Sequence, residues 1–213
     1  MPVLPRPLLI VVSAPSGAGK STLCRRLLSE EPQITYSVSC TTRAPRGAEK
    51  DGVHYHFLGP DEFQSRLDRG EFLEHAEVHG HRYGTLRKPV VDALAAGRSV
   101  LMDIDVQGAA QVRESVRRSP EGDPLRDAFV DIFIEPPSMN ALRQRLVARG
   151  EDAESEIQRR LRNAEDEMAR RAEFQFRIVN DDLDTAYWAL LSVIRGQPAR
   201  GGARLDKANG FPP

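Results

Sequence analysis

Apolar residues run unbroken from Leu8 to Val12, the pattern of a strand buried on both faces. Residues 20–30 read as a helix that Pro32 ends. From about residue 35 to 85 the pattern shifts to short alternating stretches at 36–39, 53–58 and 72–78, which suit a small half-exposed sheet. A short helix over 61–69 interrupts it, with Asp61 as N-cap after Pro60. The larger rhythm then resumes. A helix over 86–96 ends at Gly97, a strand over 99–105 carries acids at its carboxyl end, and a helix covers 106–117. Residues 119–124 read as a surface loop before a strand over 129–134, closed by Pro136 and Pro137. A helix starts at Ser138. Residues 152–173 place Ile157, Leu161, Ala164 and Met168 at helical spacing amid dense charge, which predicts a long amphipathic helix. A last strand over 176–179 and a last helix over 183–194 follow. From residue 196 the chain is rich in Gly, Pro and basic residues without periodicity, which predicts a disordered tail. There is no internal repeat.

Strand and helix alternate at both ends of this pattern, so the expected class is α/β, a parallel sheet covered by helices on both faces. Ligands then belong at the carboxyl ends of the strands. The β-rich block at 35–85 reads as a lobe hanging over that edge, across a cleft.

Composition narrows the partners. With 213 residues there is room for one domain with inserted parts. A content of 40% hydrophobic and 29% charged residues is ordinary for a globular protein and excludes disorder of the whole chain. The net charge of −1 gives no pull toward nucleic acid or an anionic membrane. No apolar run approaches the ~20 residues of a membrane span, and the N-terminus lacks a signal-peptide layout. Cys24 and Cys40 form no CxxC pair and read as small apolar residues of a reducing, cytoplasmic compartment.

The chemistry is concentrated where the first strand meets the first helix. Ala14, Pro15, Ser16, Gly17, Ala18, Gly19, Lys20, Ser21 and Thr22 make a small-residue loop that opens a helix with Gly-Lys-Ser-Thr. Backbone N–H groups in such a loop curl around an anion, and the helix N-terminus adds partial positive charge. Lys20 can reach β- and γ-phosphates, and the Ser21 hydroxyl can ligate Mg²⁺. Ala14 stands where the pattern usually begins with Gly. This loop predicts a bound nucleoside triphosphate. Arg43 and Arg46, three apart around a proline, suit a phosphate monoester because each guanidinium can bond two oxygens; the alternative is a pair of solvent-facing arginines. Glu74 falls on a strand of the lobe. All five histidines lie there too, and His75, His79 and His81 with Glu77 leave a metal site open as an alternative.

The motifs around these residues resemble the guanylate kinase family. Ser-Ala-Pro-Ser-Gly-Ala-Gly-Lys-Ser-Thr, Ser-Val-Ser-Cys-Thr-Thr-Arg-Ala-Pro-Arg, Gly-Glu-Phe-Leu-Glu, Tyr-Gly-Thr, Leu-Met-Asp-Ile-Asp-Val-Gln-Gly and Ile-Val-Asn-Asp-Asp occur in family order, over about residues 7–194. The resemblance implies a P-loop nucleoside monophosphate kinase fold and transfer of the γ-phosphoryl of ATP to GMP, extending to dGMP. It implies a nucleotide-binding core at 7–34, 86–142 and 163–195, a GMP-binding lobe at 35–85 and a helical lid at 143–162. It assigns Glu74 to the guanine N1 and N2 donors, with Ser39 and Asp105 on the rest of the base. Arg43, Arg46, Tyr55 and Tyr83 match residues holding the GMP phosphate, and Thr85 matches a nucleotide contact. On the donor side, Asp103 holds Mg²⁺ through water beside Ser21, and Arg145, Arg149 and Arg160 match lid arginines. Asn180 matches a residue near the adenine, with a helix cap or turn as its other reading. The implied partners are GMP and ATP, with no nucleic acid and no membrane, and the oligomeric state stays open. Two rivals remain: a silent scaffold module of the same family, and a phosphokinase of the same fold acting on a phosphorylated sugar. The intact Gly19-Lys20-Ser21 disfavours the first, and Ser39, Arg43, Arg46, Tyr55 and Glu74 together disfavour the second.

Overall fold

The first strand carries the site on its end. In the computed structural model, which describes residue 4 and residues 6–150, 152–196 and 205–207, β1 (Leu9–Ser13) is buried at every position. After it come α1 (Lys20–Glu30), β2 (Ile34–Tyr36), β3 (Cys40–Thr41), β4 (His56–Phe57), α2 (Pro60–Asp68), β5 (Phe72–Val78), β6 (His81–Leu86) and α3 (Arg87–Ala95). The second half comprises β7 (Ser99–Asp103), α4 (Val106–Arg118), α5 (Pro124–Ala128), β8 (Phe129–Glu135), α6 (Met139–Ala148), α7 (Glu154–Ala169), β9 (Phe176–Val179), α8 (Leu183–Ile194) and β10 (Leu205–Lys207).

Six strands form one sheet in the order β10-β9-β8-β1-β7-β2, parallel except for β10 on β9. Alternate residues of β1 feed two cores. Ile10 and Val12 pack with Leu23, Leu27, Tyr187 and Leu190 of α1 and α8, while Leu9 and Val11 pack with Met102, Val112 and Phe133 on the other face. Burying each such side chain contributes about 1.5–3 kcal/mol, which is why β1 is apolar on both faces. The carboxyl ends of β1, β7, β8 and β9 deliver the loops at 14–19, 104–105, 136–138 and 180–182 to one edge of the sheet.

A second, four-stranded sheet, β4-β3-β6-β5, forms the lobe. Several elements differ from the pattern reading. The strand expected over 36–39 ends at Tyr36 and pairs with β7 in the larger sheet; only β3 begins the lobe. The stretch 53–58 is a strand at His56–Phe57 alone, because a turn at 51–54 is closed by hydrogen bonds from Val53 and His54 N–H to Lys50 C=O. The cap of α2 is Gly59, with Pro60 at its first position; Asp61 sits inside the first turn, where its charge suits the helix dipole. β6 has little apolar alternation. It is held by backbone pairing between β3 and β5 instead of by an apolar face. The loop after residue 118 contains α5, since Asp123 caps it through Leu125 N–H at 2.9 Å and Leu125 is fully buried. In the expected tail, Leu205–Lys207 is a strand against Phe176–Ile178; residues 197–204 and 208–213 lie outside the described residues.

Candidate functional site

Loop 14–19 curls because two glycines take left-handed backbone, Gly17 at φ 94 and Gly19 at φ 96. Among the described residues, His79 is the one non-glycine with positive φ, so Ala14 has no need of glycine's freedom. Space restricts the loop as well. A Cβ on Gly17 would sit 3.0 Å from Leu142 and Leu146 of α6, and one on Gly19 would sit 2.2 Å from Nδ2 of Asn180. Gly19 caps α1 without a side chain, which leaves the first amides of the helix aimed into a cavity of ≈ 580 Å³. Lys20 enters this cavity with Nζ ion-paired to Asp103 and donating to Ile104 C=O at 3.2 Å. Ser21 and Thr22 are exposed on its wall. A hydroxyl at Ser21 and a carboxylate at Asp103 are hard oxygen donors, so the residues present fit a small divalent cation.

The other walls bring in residues from distant segments. Arg149 lines this cavity and a second one of ≈ 410 Å³ beside it, where Arg145, Asn180 and Leu183 meet the loop. Asn180 is buried and donates from Nδ2 to Ala18 C=O at 2.7 Å. Arg145 donates to the carbonyls of Asn180 and Asp181 at 2.8 and 3.2 Å. Asn180 is thus a brace under the phosphate loop, and the cap of α8 is Asp182. Arg160 stands apart, bonded to Asp152 and Glu156 at 3.1 and 3.3 Å. Glu167 of α7 went unremarked in the motifs, yet it lines the same cavity. Burial pushes its carboxyl up to about 7, Asp105 adds to that, and Lys20 and the Ser16 amide oppose it.

On the lobe, Arg43, Tyr55 and Tyr83 gather. The Arg43 guanidinium lies 5.3 Å from the Tyr55 ring centroid, and the two tyrosine rings are 5.9 Å apart. The Tyr83 hydroxyl and Glu49 both hold Arg43 charged, Glu49 by more. Arg43 is only 7% exposed, whereas Arg46 is exposed and gives its backbone N–H to Glu49. Glu49 is a second residue that the motifs did not single out; an acid three residues beyond Arg46, on the same glycine-containing turn, was the available signal.

Deeper in the lobe, Glu74 of β5 is 7% exposed and accepts from the Thr85 hydroxyl at 2.7 Å across the β5–β6 pair. Burial raises its pKa, and Asp105 raises it further. Asp105 caps α4, its Oδ1 accepting from Gln107 and Gly108 N–H at 3.0 and 2.8 Å, and it also lines the cavity around Lys20. It therefore stands beside both regions. Ser39 is half-buried just before β3, its carbonyl held by His56 N–H at 2.9 Å. The histidines do not share one strand face, because the turn at His79–Gly80 sends His81 opposite Val78. Among the described residues no group of three or more His, Cys, Asp or Glu side chains is placed to hold a metal. Burial pushes the Cys24 and Cys40 thiols up to about 12 and about 11, so neither is a thiolate nucleophile at neutral pH.

Comparison with known proteins adds independent findings. The family model described as guanylate kinase matches residues 6–197. A guanylate kinase of Rhizobium etli is 46% identical over 199 residues, covering 93% of this chain and 86% of the relative. One from Symbiobacterium thermophilum is 46% identical over 200 residues, covering 94% and 90%. The crystal structure of guanylate kinase from Anaplasma phagocytophilum superposes with a TM-score of 0.66 at 34% identity, over 90% of this chain and 86% of that one.

Proposed function

This chain belongs to the guanylate kinase family, and from that premise we propose how its residues use ATP to phosphorylate GMP. It is an ATP:GMP phosphotransferase of the P-loop kinase fold, giving ADP and GDP. The observation that carries the assignment of sites is the double position of Asp105, on the wall of the Lys20 cavity and bonded to the N–H of Gly108, where an added Cβ would sit 3.3 Å from Oε2 of buried Glu74.

Transfer between two anions requires that they be neutralised and aligned. The amides from Ser16 to Thr22 and the Lys20 ammonium receive the triphosphate, with Ala14 and Pro15 closing the loop behind them. Ser21, and Asp103 through water, would hold Mg²⁺, whose charge when bound offsets that of the β- and γ-phosphates. Arg145 and Arg149 close over the phosphates, and Arg160 joins them by leaving Asp152 and Glu156. Asn180 braces the loop beneath the adenine side. The GMP phosphate is held by Arg43, Arg46, Tyr55 and Tyr83, the tyrosines donating hydrogen bonds without added charge. Glu74, oriented by Thr85, accepts from guanine N1–H and N2–H, and Ser39 and Asp105 complete the base site. Adenine offers an acceptor at N1, so the buried carboxylate rejects it. The attacking oxygen belongs to a phosphate monoester, largely dianionic at pH 7, so no general base is required. Closure of the 143–162 lid and of the lobe that β3 begins excludes water from the reactive phosphoryl group.

No helix among the described residues is long and apolar enough to cross a membrane. A reducing cytoplasmic setting agrees with two free, buried cysteines. A coupled assay of ADP release with GMP, dGMP, AMP, UMP and phosphorylated sugars, each with and without Mg²⁺, tests the whole reading. GMP and dGMP alone, with Mg²⁺, are the expected substrates. Equal use of AMP would remove Glu74 from the base site.

A further inference from the structure

We propose that Gln111 is a positioning residue that sets the separation of the two carboxylates facing the base, Glu74 on the lobe and Asp105 on the core. The inference rests on the guanine reading of those two residues.

Among the described residues β5 is an edge strand of the lobe sheet, so no strand there pairs with its outer backbone groups. At His75, next to Glu74, that edge is closed by a side chain. Gln111 Oε1 accepts from His75 N–H at 3.0 Å, and Gln111 Nε2 donates to His75 C=O at 2.9 Å. A primary amide has the donor and acceptor of a peptide group, so this two-bond closure imitates one residue of a paired strand. Gln111 belongs to α4, which Asp105 caps, so one rigid helix carries both the grip on β5 and one of the two carboxylates. The other carboxylate is placed by a register shift between Phe72 and Glu74. Its Oε1 is taken by Thr85, while its Oε2 lies 3.3 Å from where a Cβ on Gly108 would sit. Gly108 and Gln111 are three apart and share one helix face. Along that face the helix therefore meets β5 twice, once as a close approach at Glu74 and once as a hydrogen-bonded clamp at His75. Without the clamp, the lobe is free to slide on α4, and the gap that fits guanine opens.

The test uses the full chain with Gln111→Met, which keeps the length and loses both bonds, and Gln111→Ala, which favours the helix interior. Each is made in the parent and in a Glu74→Gln background, and thermal melting verifies folding. The expected result is a GMP KM about tenfold higher with the ATP KM within about twofold, and a GMP-to-AMP ratio of kcat/KM lower by about tenfold. In the Glu74→Gln background the same substitutions leave that ratio unchanged, because a residue acting through Glu74 has nothing left to position. An unaltered GMP KM and ratio, equal losses for ATP and GMP, or effects that simply add to those of Glu74→Gln would each overturn the proposal. A parent chain with no preference for GMP would overturn the guanine reading, and this inference with it.

Discussion

Glu49 accepts from both Nη atoms of Arg43, each at 3.0 Å, so the end of the guanidinium expected to meet a phosphate is already closed by a carboxylate. The second Nη1 hydrogen goes to Ala44 C=O at 2.8 Å. Glu49 therefore leaves Nε–H and the outer Nη2–H, the side edge of the fork, which an incoming anion would share with the Tyr83 hydroxyl. Because it also accepts from Arg46 N–H at 2.7 Å, it fixes the turn that carries both arginines. Replacing Glu49 by Ala is expected to raise the GMP KM by about tenfold while leaving the ATP KM unchanged, since the fork loses its orientation. Steady-state kinetics decides the matter, because a carboxylate that merely competes with phosphate would on removal lower the GMP KM.

Glu74 illustrates a stability cost held at a binding site. Burial raises its pKa in the native state above the ~4.3 of an exposed glutamate. The native state then binds the proton more tightly than the unfolded state, so stability falls as pH rises from the unfolded value through the folded one. Glu74→Gln removes that loss. Its melting temperature at pH 7 is expected to exceed the parent's by ~2–4 °C for each kcal/mol relieved, with the gain shrinking toward pH 4. The same variant should narrow the gap between GMP and AMP. Calorimetry across pH, together with the nucleotide panel, measures both.

Glu167, at about 7, changes charge within the working pH range. Below that value it is neutral and offers no repulsion to a triphosphate; above it an anion stands in the Lys20 cavity. The ATP KM is expected to rise with pH between 6 and 8, by up to about tenfold per unit above the midpoint. Comparison with Glu167→Gln subtracts the titration of the nucleotide itself. Parallel profiles for the two proteins would separate Glu167 from triphosphate binding.

Asn180→Ala removes the 2.7 Å bond to Ala18 C=O. An unsatisfied buried carbonyl costs about 1–3 kcal/mol, so a lower denaturation midpoint is expected together with a higher ATP KM and an unchanged GMP KM. Asn180→Asp should be worse than Ala, because its carboxylate turns an acceptor toward that carbonyl. Urea melts and kinetics on both variants check the order.

Several features of the site were legible along the chain because they are local. The unbroken apolar run of β1, followed by Gly17, Gly19 and Lys20, dictates a buried strand, a left-handed turn and a helix start within a dozen residues. Arg43, Tyr55, Glu74 and Tyr83 were legible through motif resemblance. β6 was not, because a strand flanked on both edges is held by backbone bonds, and these leave no hydropathic trace. Nor was α5, whose one fully buried residue, Leu125, is too little to make a period.

The buried first strand and the small-residue loop that opens α1 follow from the sequence, since covalent spacing and apolar periodicity act over a few residues. Only the tertiary structure decides that Asn180 braces Ala18 across 162 positions, that Glu49 takes one end of Arg43, that Arg160 faces Asp152, and that Gln111 closes the edge beside Glu74. Hydrogen bonds between distant segments depend on distance and angle within a few tenths of an ångström. Packing of the sheet and helices sets those quantities, and residue identity alone does not.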